Sequence, residues 1–332
     1  MAQQGRTSFE HQIRSQPAEL ERLLTAPHTR EQVHAAAEGL HRVRRIWVVG
    51  TGSSQHVAHL GAAMLQDAGR SAHAVSSMQF VRNAPIVGPH DGVVIVTHSG
   101  ESAYAMAARA LAFTAGLQTI TITRRGTALN DVIETVDKET SETHSVAYTT
   151  GLYAMALLAA EMGADAITPD ALAAVPGAVS AALTDTGTQA VPAPGRALVF
   201  VGAGPSAITA HEGAVKVREA AHVLGEGYDA EYLLHGSGEL LGSSDHLVAL
   251  TSPDEDGLVE GVARAAERAG VGVTRVTEQS PLPTLLGQIP CAARLQVLAL
   301  RLALSKRRDP DTVAVGPWAD PGLWAIGAPR SG

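Results

Sequence analysis

The feature that most constrains the fold of this chain is a strand, turn and helix pattern that occurs twice. The first copy reads IWVVGTGSS at residues 46–54, and the second reads ALVFVGAGPS at residues 197–206. Each copy is followed by a further apolar run, at 92–97 and at 246–251. Nearly continuous apolar strands that alternate with helical patterns are typical of parallel sheets. The sequence therefore predicts a duplicated α/β protein.

Hydroxyl side chains distinguish the two copies. In the first copy, polar residues follow the second apolar run as THSGES at 97–102, whereas the second copy has Pro253, Asp254 and Glu255 at that place. A strand that ends in Gly and Ser before a helix presents backbone N–H groups to an anion. We therefore predict one phosphate pocket in the chain, and its candidate residues are Gly52, Ser53, Ser54, Thr97, His98, Ser99 and Ser102. The alternative is that these serines only cap helices.

Composition excludes several classes of function. The net charge is −8 without a basic block, and aromatic residues make up 4% of the chain. Nucleic-acid binding needs clustered cations or stacking rings, so we expect none. The single cysteine, Cys291, leaves no disulfide framework and no cysteine-based metal cluster, and we predict neither a metal nor a cofactor. No apolar run reaches membrane-spanning length and no signal-peptide pattern opens the sequence, so a cytoplasmic protein that does not insert into membranes is expected.

Helix and strand patterns divide the chain into five predicted segments. Residues 8–42 read as helices, with Ser8 as a cap and Pro17 opening a second run. A strand is expected near 228–232, and the tail with Trp318 and Trp324 is expected to wrap over a groove without regular structure. The predicted segments are an N-terminal helical segment (1–42), a first α/β domain (43–183), a linker rich in Pro, Gly and Thr (184–196), a second α/β domain (197–307) and an irregular C-terminal tail (308–332).

A helical pattern in the second copy carries the candidate catalytic residues. Glu212, Lys216 and Glu219 are spaced by four and three residues, so they share one face of a helix. An exposed ladder of ion pairs is the alternative interpretation. His235 follows an apolar pair and precedes a glycine, and by itself it indicates little.

Together these motifs resemble the double sugar-isomerase-domain (SIS) family, which includes the isomerase half of glutamine–fructose-6-phosphate aminotransferase and smaller phosphosugar isomerases, deaminases and deglycases. The resemblance covers roughly residues 9–310. It implies two tandem, doubly wound parallel-sheet SIS domains of flavodoxin-like topology. The motifs that carry it are QIRSQP (12–17), GSS (52–54), THSGES (97–102), EGAVKVRE (212–219) and His235-Gly236.

The resemblance also implies roles for the candidate residues. Glu219 would be the acid and base that moves a proton between C1 and C2 of an open-chain sugar phosphate. His235 would assist ring opening from the partner subunit of a homodimer, and Lys216 and Glu212 would orient the site. Val146 and Ala147 match a substrate-binding segment of the family. Apolar helices expected at 147–163 and 290–304 are a second, weaker indication of a dimer.

Three departures from the family pattern bear on the reaction. No glutaminase segment with an N-terminal cysteine precedes the first strand, so we expect no glutamine-dependent amination. The family lysine in the C-terminal loop is missing from 309–315, and Thr143 stands where the family has a substrate-facing glutamate, with Glu142 one residue away. An aldose–ketose isomerase or an aminosugar-phosphate deaminase is the leading prediction. A fructosamine-6-phosphate-type deglycase and a non-catalytic sugar-phosphate-binding regulator remain the alternatives.

Overall fold

The computed structural model describes residues 7–83, 87–252 and 256–326. Two helices, α1 (Ser8–Thr25) and α2 (Pro27–His41), precede the first strand. The next elements are β1 (Arg45–Gly50), α3 (Ser53–Asp67), β2 (Ser71–Ser76), α4 (Ser77–Arg82), β3 (Asp91–Val96), α5 (Ala103–Thr114), β4 (Gln118–Thr123), β5 (Val132–Glu134), α6 (Val146–Glu161) and α7 (Pro169–Thr184). The second series is β6 (Ala197–Gly202), α8 (Pro205–Ala221), β7 (Leu224–Asp229), α9 (Ala230–Leu234), β8 (His246–Thr251), α10 (Leu258–Arg268), β9 (Gly272–Thr277), α11 (Thr284–Ser305) and α12 (Pro321–Ala325).

The strands of the described residues form two sheets with parallel pairing throughout. One sheet has the order β2-β1-β3-β4-β5, and the other has the order β7-β6-β8-β9. The first of these is the order of flavodoxin-like doubly wound folds, and the second sheet repeats its first four positions. The predicted α/β fold with parallel sheets is therefore confirmed.

Contacts divide the chain into two compact units, each built around one sheet. The first-sheet unit contains 18–139, 146–174 and the residues from 314 onward, whereas the second-sheet unit contains the residues up to 17, 140–145 and 175–313. The predicted linker 184–196 lies inside the second-sheet unit. Its backbone is held there because Arg301 donates hydrogen bonds to the carbonyl oxygens of Thr188 and Val191.

Side chains on the two faces of the second sheet pack into two separate cores. On β6, Leu198 and Phe200 face one core with α8 and α11, whereas Val199 and Val201 face the other with α10. This alternation is the two-residue period of a strand. In the first-sheet unit, Val49, Val93 and Ile95 pack against Phe80 and the alanines of α5.

An ion pair recurs at the amino-terminal edge of both sheets. Arg45 donates from Nε and Nη2 to the two carboxylate oxygens of Asp91, at 3.2 and 2.6 Å. Arg196 binds both oxygens of Asp245 in the same way, with its Nε at 2.7 Å. In both pairs, the backbone N–H of the glycine three residues before the aspartate donates to it at 2.9 Å. The two halves therefore share a detailed structural feature as well as a strand order.

Several element boundaries differ from those predicted. Pro17 lies inside α1, and the second helix begins only at Pro27. Thr7, and not Ser8, accepts the capping hydrogen bond, from the backbone N–H of Glu10 at 3.2 Å.

The strand predicted near 228–232 is present but begins and ends earlier, because β7 ends at Asp229. The Asp229 side chain caps α9 by accepting from the backbone N–H of Glu231 at 2.9 Å. Helix α7 was not among the predicted elements.

The tail contains more regular structure than expected. It forms a 3₁₀ turn at Gly316–Ala319 and the short helix α12, while the side chains of Trp318 and Trp324 are 77% and 69% exposed. The tail residues 327–332, the N-terminal residues 1–6 and the loop residues Pro253, Asp254 and Glu255 lie outside the described residues.

The apolar helices that suggested a dimer are covered within their own units. Helix α6, predicted at 147–163, packs on α3, where Gly61 lies against Met155. Helix α11, predicted in part at 290–304, packs on α8, where Gly213 lies against Leu295. Their apolar faces therefore no longer indicate a surface for a second subunit. Among the described residues, no helix combines the length and the apolar character needed to cross a bilayer.

Candidate functional site

The turn between β1 and α3 brings helix N–H groups to the carboxyl-terminal edge of the first sheet. A Cβ on Gly50 would lie 2.2 Å from the backbone oxygen of Ser54, so only glycine allows this tight turn. Gly52 is the N-cap residue of α3 with a φ of 55°, a region that favours glycine. Ser53 and Ser54 occupy the first turn of the helix, where backbone N–H groups attract anions.

The loop between β3 and α5 lies at the same edge. Strands β1 and β3 pair in parallel with Val49 opposite Ile95, so the residues that follow Gly50 and Val96 leave the sheet side by side. Gly100 turns this loop with a φ of 67°. The structure thus brings the two predicted phosphate loops together within one unit.

Neither helix has a side-chain cap at this edge. Gly52 of α3 and Ser102 of α5 are the N-cap residues, and neither makes a side-chain capping hydrogen bond. The Ser99 hydroxyl accepts from the backbone N–H of Glu101 at 3.0 Å, which leaves its own hydrogen to be donated. The Thr97 hydroxyl is buried and has no hydrogen-bond partner among the described residues. Ser102 therefore does not cap α5, whereas Ser99 makes a local contact within its own loop, and phosphate binding by these residues stays a prediction.

Glu139 joins two candidate ligand-binding segments, and sequence reasoning missed it. Its backbone N–H donates to Nε2 of His98 at 3.2 Å, and its side-chain Oε1 accepts from the backbone N–H of Ala147 at 2.6 Å. Ala147 and Val146 begin α6 and are buried, so the N–H of Ala147 is already occupied by a protein carboxylate. The irregular stretch before α6 carries no pattern from which this contact could have been predicted.

Arg124 is a second residue near the loop that sequence reasoning missed. Its backbone N–H donates to the carbonyl oxygen of His98 at 3.1 Å, and its guanidinium Nη2 lies 3.6 Å from Glu101. The structure thus places a largely buried cation beside the loop that follows β3.

The charged residues of α8 form a buried cluster in the second-sheet unit. The ammonium group of Lys216 donates to Oε2 of Glu219 at 2.6 Å and lies 3.5 Å from Oε1 of Glu212. The side chains of Lys216 and Glu212 are each 1% exposed, whereas that of Glu219 is 28% exposed. An exposed ladder of ion pairs is therefore excluded, and Glu219 is the accessible member of the cluster.

His144 completes the cluster and was not predicted. Its carbonyl oxygen accepts from the ammonium of Lys216 at 3.0 Å. Burial and the nearby charge of Lys216 lower the pKa of the His144 imidazole to about 4, while Glu212 and Glu142 oppose this shift. The imidazole is thus neutral at pH 7.

His235 lies away from this cluster within the same chain. Gly225 on β7 lies against Val217, and Gly227 lies against His211, so β7 and α8 run in opposite directions. The exposed His235 follows α9, whose Ala230 and Leu233 pack with α10 on the sheet face opposite α8, whereas Glu219 is near the end of α8. From His211 to Glu219 the helix rises by about 12 Å.

The segment that departs from the family pattern has no carboxylate at its expected place. Thr143 is fully buried, and its hydroxyl donates to the carbonyl oxygen of Pro310 at 2.7 Å. Glu142 is exposed and accepts from the backbone N–H of Val313 at 2.7 Å. Within the described ranges, no group of three or more histidine, cysteine or acidic side chains has the geometry to hold a metal ion.

Comparisons with known proteins agree with the motifs. Residues 39–160 match the model of the SIS domain family. Glutamine–fructose-6-phosphate aminotransferase (isomerizing) from Pyrococcus horikoshii is 27% identical over 311 residues, which are 83% of this chain and 51% of that protein. The corresponding enzyme of Thermococcus kodakarensis is 26% identical over 320 residues, 85% of this chain and 53% of that protein. The chain spans about half the length of these curated relatives.

Solved structures share the fold over almost the entire chain. Tagatose-6-phosphate ketose/aldose isomerase from Escherichia coli has a TM-score of 0.78 at 21% identity and covers 96% of this chain and 99% of its own. Glucosamine-6-phosphate deaminase from Thermotoga maritima has a TM-score of 0.75 at 16% identity and covers 92% and 97%. At these identities the likeness is one of fold.

Proposed function

We propose that this chain, whose residues 39–160 match the SIS domain model, is an enzyme that moves a proton between C1 and C2 of an open-chain sugar phosphate. It would act as an aldose–ketose isomerase or as an aminosugar-phosphate deaminase. The observation that carries the proposal is the buried cluster on α8, in which an ammonium group lies between two carboxylates and only the Glu219 carboxylate is accessible.

The chemistry of the cluster suits proton abstraction next to a carbonyl group. A positioned carboxylate can remove a proton from C1 or C2 and return it to the neighbouring carbon. The Lys216 ammonium holds Glu219 in one orientation and supplies positive charge against the enediolate that develops. Glu212, on the other side of Lys216, balances this ammonium in a buried position.

A non-catalytic regulator would have less use for this cluster. Burying two charged side chains costs several kcal/mol for each ion unless their partners compensate, and such an arrangement is hard to explain by stability alone. In our proposal, Gly52, Ser53, Ser54, Thr97, His98, Ser99 and Ser102 bind the phosphate group, and Val146 and Ala147 shape its surroundings. We further propose that the second sheet forms a second SIS-type domain, which its strand order and the repeated ion pair support.

The role proposed for His235 requires a homodimer. Within one chain, the helix α9 that precedes His235 packs on the sheet face opposite α8, so we propose that His235 assists ring opening in the site of a partner subunit. The deglycase alternative differs from the main proposal in its products and the regulator would form none, so one experiment separates all of them.

The test is proton NMR of the purified protein in D₂O with hexose, hexosamine and fructosamine phosphates. We expect deuterium at C1 or C2 of one substrate, and the products, together with any released ammonia, distinguish isomerase, deaminase and deglycase. Saturable binding without exchange for every substrate would contradict the enzyme and support the regulator.

Glu219→Gln is the matched variant for this experiment. Because a general base contributes to the transition state, turnover should fall about 10²- to 10⁴-fold while binding stays within about tenfold. Glu267→Gln, which changes an exposed carboxylate of α10 in the same unit, serves as the control and should leave turnover unchanged. Full turnover in the Glu219 variant would show that another group abstracts the proton.

A further inference from the structure

Glu139 contacts two different elements that carry candidate ligand-binding residues. Through its backbone N–H it binds the ring of His98 in the loop after β3, and through its carboxylate it binds the first turn of α6. The residue is only 7% exposed, so these contacts are made largely without water. A single buried residue thus connects the loop and the helix within the first-sheet unit.

The backbone contact determines the tautomer of His98. Because the Glu139 N–H donates to Nε2, this nitrogen must be an acceptor and carries no hydrogen. The neutral ring then has its hydrogen on Nδ1. The carbonyl oxygen of His98 also accepts hydrogen bonds, from the Arg124 N–H at 3.1 Å and from the Thr123 hydroxyl at 3.3 Å, so both ring and backbone are held.

The side-chain contact caps the N-terminus of α6 with Glu139, a residue that lies well before the helix in the sequence. A carboxylate that accepts from the N–H groups at the start of a helix also interacts favourably with the helix dipole. Helices α4 and α9 are capped locally, by Ser76 and Asp229, which accept from N–H groups three and two residues ahead. Glu139 reaches eight residues ahead, and the cap of α6 therefore fixes the irregular segment that leads to it.

We propose that Glu139 is a positioning residue: its carboxylate anchors residue 139 to α6, and the anchored backbone N–H holds His98 in its Nδ1–H tautomer within the Thr97–Ser102 loop. The relevance of this arrangement to phosphate binding rests on the proposed function. The anchoring itself does not, because it concerns contacts inside the protein.

The test combines ¹⁵N NMR of histidine-labelled protein with calorimetric titration of inorganic phosphate. Loss of one signal in His98→Gln assigns His98 among the 14 histidines. We expect a single Nδ1–H tautomer in the unaltered protein. In Glu139→Ala, we expect this tautomer preference to be lost and the Kd for phosphate to rise about tenfold or more, because small displacements of binding groups weaken binding strongly.

Two further variants make the test specific. Glu139→Gln keeps an oxygen acceptor for the Ala147 N–H, so it should retain the tautomer and a Kd within about threefold, and it also covers the case in which the alanine variant does not fold. Asp256→Ala removes an equivalent carboxylate contact, to the Leu258 N–H at 2.9 Å in the other unit, and should change neither readout.

The results separate this inference from the proposed function. The positioning role would be overturned if the His98 signals were unchanged in Glu139→Ala. It would also be overturned if Glu139→Gln changed the His98 tautomer and the Kd for phosphate as much as Glu139→Ala does. If the unaltered protein binds no phosphate while His98 still responds to Glu139→Ala, the phosphate loops lose their proposed role and the anchoring stands.

Discussion

At the scale of single residues, sequence spacing predicted which charges share a helix face but not how deeply they are buried. Glu212, Lys216 and Glu219 do meet on one face of α8. Glu139, His144 and Arg124 were not predicted because their contacts depend on the path of the loops on either side of β5, between 124 and 145, and no periodic pattern encodes that path. Contacts between side chains can thus be predicted where a helix fixes their spacing, and much less well in loops.

The buried ammonium of Lys216 should be important for stability. We expect Lys216→Met to lower the free energy of unfolding by about 3 kcal/mol, because the change leaves Glu212 buried without its cation. Urea unfolding at pH 7 measures the effect. Arg264→Met removes an exposed ion pair with Glu260 and should cost less than about 1 kcal/mol. Equal costs for the two variants would contradict the burial of the cluster, and adding Glu212→Gln to Lys216→Met should restore part of the loss.

His144 should make stability depend on pH. Its pKa is about 4 in the folded chain, because of burial and the charge of Lys216, and about 6.5 when unfolded. The unfolded chain therefore takes up a proton first, and the free energy of unfolding should fall as the pH drops from about 6.5 to 4. His144→Gln should reduce this slope in urea unfolding measured across that range. His90→Gln changes an exposed histidine and should leave this slope unchanged. An unaltered slope in the His144 variant would show that His144 does not cause the pH dependence.

At the scale of elements, the sequence predicted most strands well because buried parallel strands form continuous apolar runs. Strands β1, β6 and β8 lie where the apolar runs indicated. The errors fell where short polar segments decide the structure: Asp229 stops β7 by capping α9, and Pro17 is accommodated within α1. Local capping and tertiary contacts, which the apolar pattern does not report, determine these boundaries.

Close packing of β7 against α8 predicts a strong effect of one methyl group. A Cβ on Gly227 would lie 2.5 Å from the Cα of His211 and 2.8 Å from the carbonyl oxygen of Ala210, so Gly227→Ala must push the helix away from the strand. We expect a loss of about 1–3 kcal/mol in thermal or urea unfolding. Gly261→Ala on α10 meets no atom within 4 Å and should instead stabilise by about 0.5–1 kcal/mol. A neutral Gly227 variant would show that the helix and strand lie further apart.

At the scale of the whole molecule, two parallel sheets could be predicted from two repeated motifs, but the composition of the compact units could not. The second-sheet unit includes residues 140–145 from within the first half of the sequence, because long-range hydrogen bonds such as that from Thr143 to Pro310 attach them there. Domains predicted as continuous ranges of sequence cannot include a short segment that belongs to the other unit.

The proposed homodimer makes a prediction that a monomeric enzyme would not meet. If His235 acts in the site of the partner subunit, Glu219→Gln and His235→Gln are each inactive alone, but a mixed dimer has one intact site. Unfolding and refolding an equal mixture should restore about a quarter of the unaltered activity, since half of the dimers are mixed and each has one of two sites. Each variant refolded alone is the control. If mass spectrometry detects mixed dimers but no activity returns, Glu219 and His235 of the same subunit must act together in one site.

The ion pairs of Arg45 with Asp91 and of Arg196 with Asp245 occupy the amino-terminal edges of the two sheets, whereas the two copies differ in the loops at the opposite edges. The scaffold contacts and the proposed ligand contacts therefore lie in separate stretches of sequence. In a directed-evolution experiment, libraries confined to the carboxyl-edge loops should yield mostly folded proteins with altered specificity, whereas libraries at the four paired positions should mainly lose foldable clones. This separation would make the fold readily evolvable.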